Sequence, residues 1–158
     1  GEGDILSHSV MMNAEKYTVP NELLIPTGEL RLVEGTSLDF RKAHPIGARI
    51  KDVQGGYDHN FVLRRTGDAL SLAAKVVARN SGRTMEVWTT EPGLQFYTGN
   101  FLDGSLTGKM GKNYLKHYGF CLEAQHYPDS PNHSEFPATT LRPGQTYHQQ
   151  TVYKFLTE

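Results

Sequence analysis

Short runs of alternating residues, cut apart by glycine and proline turns, constrain this chain more than any other feature. In residues 120–126 (FCLEAQH), Phe120, Leu122, Ala124 and His126 alternate with Cys121, Glu123 and Gln125. That period of two is the signature of a strand, whose neighbours point to opposite faces. The run stops at Pro128-Asp129-Ser130-Pro131. Similar runs are expected as strands over 9–17, 29–33, 60–63, 69–77, 83–90, 94–98 and 147–155. Between them stand turn signals: Thr66-Gly67-Asp68, Asn80-Ser81-Gly82, Pro92-Gly93 and Arg142-Pro143-Gly144-Gln145. Residues 69–79 have a composition a helix would accept, but their alternation and flanking turns favour a strand. Eight or more short strands so punctuated predict an all-β fold of antiparallel sheets, a sandwich or a barrel. Residues 99–119 carry glycine at 99, 104, 108, 111 and 119, too many for a regular element, and read as a long irregular loop.

A chain of 158 residues fits one domain, 1–158, and can bury a core without covalent staples. Its 16 Lys and Arg against 17 Asp and Glu leave a formal charge of −1, which argues against an electrostatic grip on nucleic acid or anionic lipid. Apolar runs are too short to span a membrane. The single cysteine, Cys121, excludes an internal disulfide framework and fits a reducing compartment. Its place in mid-strand reads as a small core residue rather than a nucleophile.

Three polar positions call for a chemical reading. Glu123 is a carboxylate between a cysteine and a glutamine; it is either a solvated strand charge or a concave-face acid or base. Asp129 and Glu135 are further carboxylates near it in sequence. Asp58 lies in Gly55-Gly56-Tyr57-Asp58-His59-Asn60, where it could close a turn or meet a ligand. That loop has no phosphate-cradling pattern. Gln95 shares a strand face with Tyr97, with Leu94 and Phe96 opposite, an arrangement suited to a sugar or to a half-buried strand. The 7 histidines show no HxH or HExxH spacing, so no metal site is expected.

Taken in order, Ile25-Pro26-Thr27-Gly28, Asp39-Phe40-Arg41, the Gly55–Asn60 loop, Thr90-Glu91-Pro92-Gly93-Leu94-Gln95-Phe96-Tyr97-Thr98-Gly99-Asn100, residues 121–132 and Arg142-Pro143-Gly144 resemble the C-terminal portion of an aldose 1-epimerase, or galactose mutarotase. The resemblance runs over essentially the whole chain. It implies an antiparallel β-supersandwich of which this chain is roughly the C-terminal half. It also implies a cytoplasmic enzyme that needs no cofactor and interconverts the α and β anomers of free hexoses such as galactose and glucose. Glu123 then matches the family's catalytic base, Asp58 an acidic side chain that hydrogen-bonds sugar hydroxyls, and Gln95 an amide that contacts the substrate.

The pattern departs from the family in one respect. The family's acid is a histidine in an Asn-His-Ser/Thr-aromatic motif that lies upstream of the segment matched by residues 3–6. His8, His59 and Asn132-His133-Ser134 are not equivalents of that histidine. The resemblance therefore leaves the acid to an N-terminal portion of the same fold, covalent or a companion chain, and leaves a silent sugar-binding protein as the rival function. A hexose 6-phosphate substrate would want basic residues such as Arg41, Lys42 and Arg49 at the cleft mouth.

Overall fold

A computed structural model describes residues 3–65 and 67–157. They form ten strands: β1 (Ser9–Met12), β2 (Ala14–Pro20), β3 (Pro26–Leu32), β4 (His44–Pro45), β5 (Asp58–Leu63), β6 (Ser71–Ala78), β7 (Arg83–Thr89), β8 (Gly93–Tyr97), β9 (Cys121–Gln125) and β10 (Thr151–Thr157). Only short 3-10 turns interrupt them, and no described residue is α-helical. The strands pair antiparallel into two five-stranded sheets, ordered β10-β7-β6-β1-β4 and β3-β2-β5-β8-β9. Among the described residues no helix is long and apolar enough to cross a membrane.

The run expected as one strand over 9–17 is two strands in two different sheets. The division falls at Asn13, whose N–H donates to Ala73 O and whose carbonyl accepts from Arg64 N, each at 2.8 Å. Its side-chain amide also donates to Arg64 O and Leu72 O, both at 3.3 Å. One asparagine thus satisfies backbone groups of both sheets where the chain passes from one to the other. The strand expected over 69–77 starts at Ser71, and Leu70 lies outside it. The register of β6 on β7 slips between Leu72 and Ala74, so Ala73 is a bulge and the strict alternation is lost there. The strand expected over 147–155 begins only at Thr151, because Tyr147 is drawn to a buried carboxylate described below. The two-residue β4 had no sequence signal. Residues 99–119 are irregular apart from a 3-10 turn at Lys109–Gly111 and one bridge, Thr107 to Asn113. Of the expected turn at 66–68, Thr66 lies outside the described residues, and Gly67 takes φ 65°.

Between the sheets lies an aromatic core. Phe40 meets Tyr57 at 5.1 Å, Phe96 at 5.6 Å and Phe61 at 6.3 Å, edge to face, while Tyr57 and Phe96 stack at 5.4 Å. All four are at most 1% exposed. Burying side chains of this size contributes about 1.5–3 kcal/mol each, with more from the edge-to-face geometry. This core fixes the orientation of β5 and β8. With Phe61, Leu94, Phe96 and Leu122 directed inward, the intervening residues of β5, β8 and β9 must face the other way.

Candidate functional site

Register makes that outward face explicit. Asp58 stands opposite Tyr97, and Tyr97 opposite Cys121; Asn60 stands opposite Gln95, and Gln95 opposite Glu123; Val62 stands opposite Gly93, and Gly93 opposite Gln125. Directly opposed residues share a face, so Asp58, Gln95 and Glu123 are brought together on one side of the sheet. Tyr97, Asn60, Cys121 and Gln125 stand with them. The inward partners are apolar or aromatic, with His59 opposite Phe96 and edge-on to Tyr17 at 5.8 Å.

The polar face is wired. Gln95 donates through Nε2 to Asp58 Oδ1 at 2.7 Å. Gln125 donates through Nε2 to Asn60 Oδ1 at 3.2 Å and to Gln95 Oε1 at 3.4 Å. Asn60 is 2% exposed, and its own Nδ2 is buried without a partner, a state that costs about 1–3 kcal/mol. Glu123 is exposed and makes no hydrogen bond or ion pair among the described residues. It is a free carboxylate one strand away from a pinned amide. Tyr97 completes the surface, stacking on Phe101 at 6.1 Å and accepting Phe101 N at 3.1 Å.

Cys121 is not a core residue. The alternation that points Leu122 inward points Cys121 outward, where it is exposed beside Asp58 and Glu123. Partial burial, then the negative charges of Glu123 and Asp58, push its thiol above the ordinary range. Tyr153, whose hydroxyl donates to Leu122 O at 2.8 Å, is likewise raised by burial and by Glu123.

The loop before β5 sets the position of Asp58. Gly56 has φ 87°, a conformation that favours glycine, and a Cβ there would lie 2.2 Å from Asn100 Oδ1. Asn100 fills that space, donating to Tyr57 O at 2.9 Å and accepting from Thr98 Oγ1 at 2.8 Å. The long irregular segment therefore reaches back to hold the loop that carries Asp58.

The other polar candidates lie apart from Glu123. The Nδ1 of His59 accepts the Asp58 N–H at 3.1 Å on the core side, and burial lowers its pKa. His133 contacts Pro26 O at 3.1 Å, Asp129 Oδ2 at 3.4 Å and Glu135 Oε1 at 3.6 Å, so both of those carboxylates belong to its surroundings. Among the described residues no histidine bonds Glu123. Arg41 is tied to Asp39 at 2.7 Å and Glu34 at 3.0 Å, and Arg49 donates to Asp39 O at 2.6 Å. No group of three or more His, Cys, Asp or Glu among the described residues could hold a metal ion.

Sequence reasoning missed Asn60 and Gln125, although the same alternation that placed Gln95 would have placed both. It also missed a buried cluster at the end of β9. Glu91, 3% exposed, accepts from Tyr147 Oη at 2.7 Å and meets His126 Nδ1 at 2.6 Å, joining the segment before β10 to the residue after β9. No pattern in the sequence links positions 91, 126 and 147.

Comparison with known proteins places this geometry in context. The family model described as aldose 1-epimerase matches residues 1–154. Galactose mutarotase of Rattus norvegicus is 47% identical over 156 residues, covering 98% of this chain and 45% of its own length. Aldose 1-epimerase of Escherichia coli (strain K12) is 39% identical over 164 residues, covering 99% of this chain and 47% of its own. A solved structure of a GalM/aldose epimerase homologue from C. elegans superposes with a TM-score of 0.87 at 27% identity, over 98% of this chain and 47% of that one. The chain thus spans under half the length of the curated relatives it matches, and its two sheets have the antiparallel supersandwich fold of that group.

Proposed function

Since the chain belongs to the aldose 1-epimerase family, we propose that it carries the basic half of a site that interconverts the anomers of a free hexose such as galactose or glucose. The observation that carries this reading is the polar sheet face. On it, an unpaired Glu123 carboxylate stands opposite Gln95, which is held by Asp58.

In this reading Glu123 takes the proton from the anomeric hydroxyl O1. The C1–O5 bond breaks as O1 becomes the carbonyl oxygen of the open aldehyde, and an acid delivers a proton to O5. Rotation about C1–C2 presents the other carbonyl face. O5 then attacks C1, giving its proton back to the acid's conjugate base while Glu123 returns a proton to O1. Asp58 and Gln95 hold sugar hydroxyls, an acceptor beside a donor. Deprotonation alone leaves a poor leaving group, so base and acid must act together. None of the described histidines reaches Glu123, and the acid comes from an N-terminal portion of the same fold.

The packing supports such a partner. Phe155 is 74% exposed and Tyr153 45% exposed on the side of β10 that faces the second sheet, since the Tyr153 hydroxyl reaches Leu122 O. A cavity of about 820 Å³ opens beside them, lined in part by Ile5, Val76, Met85, Tyr118, Phe120 and Phe155. Exposed aromatic and aliphatic surface of this extent marks a face that another chain segment covers. The lone thiol fits a reducing compartment, and we place the assembled enzyme in the cytoplasm.

Polarimetry tests the proposal. α-D-Galactose is followed with this chain alone, with the chain plus the N-terminal portion, and with Glu123→Gln in the assembly. The assembly should accelerate mutarotation, and the substitution should remove about 10²–10⁴-fold of that acceleration. An inactive assembly that still binds galactose would replace the enzyme by a sugar-binding protein. Full activity in the variant would remove Glu123 from the mechanism.

A further inference from the structure

We propose that Gln125, braced by Asn60, is a positioning residue that fixes the plane of the Gln95 amide and so the donor it offers to the sugar. The inference rests on the proposed role of Gln95 as a sugar contact. Its physical content is a ladder of three amides that starts from a carboxylate.

An amide has a donating end and an accepting end, whereas an ionised carboxylate only accepts. Asp58 therefore selects Nε2 of Gln95, at 2.7 Å, and turns Oε1 the other way. A single bond at one end fixes which end is which but leaves the amide free to swing about that bond. The second anchor comes from Gln125, whose Nε2 reaches Gln95 Oε1 at 3.4 Å and Asn60 Oδ1 at 3.2 Å. Gln125 and Asn60 lie on the strands either side of Gly93, Gln125 directly opposite it and Asn60 diagonal to it, and they meet only because position 93 has no side chain. A Cβ on Gly93 would lie 2.5 Å from Asn60 Oδ1 and 3.0 Å from Gln125 O. The glycine gap is therefore the opening through which the ladder closes. Asn60 is at once the most buried member and the one with an unpaired Nδ2, so it holds its Oδ1 toward Gln125 while its own donor goes unmet.

One hydrogen of Gln95 Nε2 goes to Asp58. The second remains for a substrate oxygen, next to an Asp58 oxygen that accepts. A single sugar hydroxyl, donating to Asp58 and accepting from Gln95, matches that pair. Glu123 takes no part in the ladder, so loss of Gln125 should weaken sugar binding and spare the proton transfer.

Gln125→Met keeps the length and volume of the side chain and removes its donors. In the 158-residue chain, the side-chain amide signals of Gln95 are identified by their loss in Gln95→Leu. Those signals should move in Gln125→Met while the backbone spectrum elsewhere stays in place. In the wild-type chain the one Gln95 Nε2 proton held by Asp58 should exchange slowly with solvent. In the assembled enzyme, Gln125→Met should raise KM about 3- to 10-fold, the worth of a hydrogen bond, with kcat within about 2-fold. Gln95 signals that ignore the substitution, fast exchange in the wild type, or an unchanged KM would each overturn the ladder. A wild-type assembly without mutarotase activity overturns the proposed function instead, and the Gln95 signals then decide the ladder by themselves.

Discussion

Replacing Gly56 by alanine tests whether the loop carrying Asp58 is held as described. Two costs arise. An alanine at φ 87° sits in left-handed space, which disfavours a Cβ by about 1–2 kcal/mol. The new Cβ would also lie 2.2 Å from Asn100 Oδ1, so Asn100 must leave. Its departure forfeits the bond from its Nδ2 to Tyr57 O and the one it accepts from Thr98 Oγ1. Thr98 can still donate to Tyr57 O, which it already approaches at 3.2 Å, so the net loss is about 1–2 kcal/mol. Gly56→Ala should therefore cost about 2–4 kcal/mol. Asn100→Ala alone should cost about 1–2 kcal/mol, the bonds without the strain. In the double variant the clash is gone and the bonds are already lost, so its cost should equal that of Gly56→Ala rather than the sum. The coupling of about 1–2 kcal/mol is read from equilibrium urea unfolding, followed by fluorescence of the only tryptophan, Trp88. Additive costs would refute the reasoning, because they would mean that Asn100 does not occupy the space a Cβ needs.

Two further outcomes follow from the titrating groups on either side of the sheet. His59 is held below its ordinary pKa by burial, so the unfolded chain binds its proton at a higher pH than the native chain does. Stability should therefore fall as pH drops through about 6.5, and His59→Gln should flatten that part of the pH–stability curve; an unaltered slope would place the ring in water. Cys121 should alkylate slowly with iodoacetamide near pH 8, since burial, Glu123 and Asp58 all favour the neutral thiol. Glu123→Gln should speed that reaction about 2- to 3-fold, and an unchanged rate would separate the two side chains.

Much of this architecture could be read from the residues. The alternation in 120–126, 94–98 and 60–63 gave strands whose faces are now seen, and it put Gln95 with Tyr97 opposite Leu94 and Phe96. It failed where a strand does not keep its period. At Asn13 one apolar run serves two sheets, and at Ala73 an inserted residue breaks the alternation, because pairing partners, and not local preference, decide where a ladder bends. Cys121 shows the opposite failure: its own strand period assigns it to the face of Glu123, yet the usual burial of cysteine suggested the core.

What the sequence determined by itself is the all-β class and the family pattern, in which Glu123, Asp58 and Gln95 stand as candidates, since each depends on short-range order along the chain. Only the tertiary structure decided that positions 58, 95 and 123 share one face, that Gln125 and Asn60 meet across Gly93, and that Glu91 binds residues 126 and 147. Those facts rest on register between strands far apart in sequence. Register is set by the packing of Phe40, Tyr57, Phe61 and Phe96 in the core, where a slip of one residue would turn the polar face inward and expose the aromatic one.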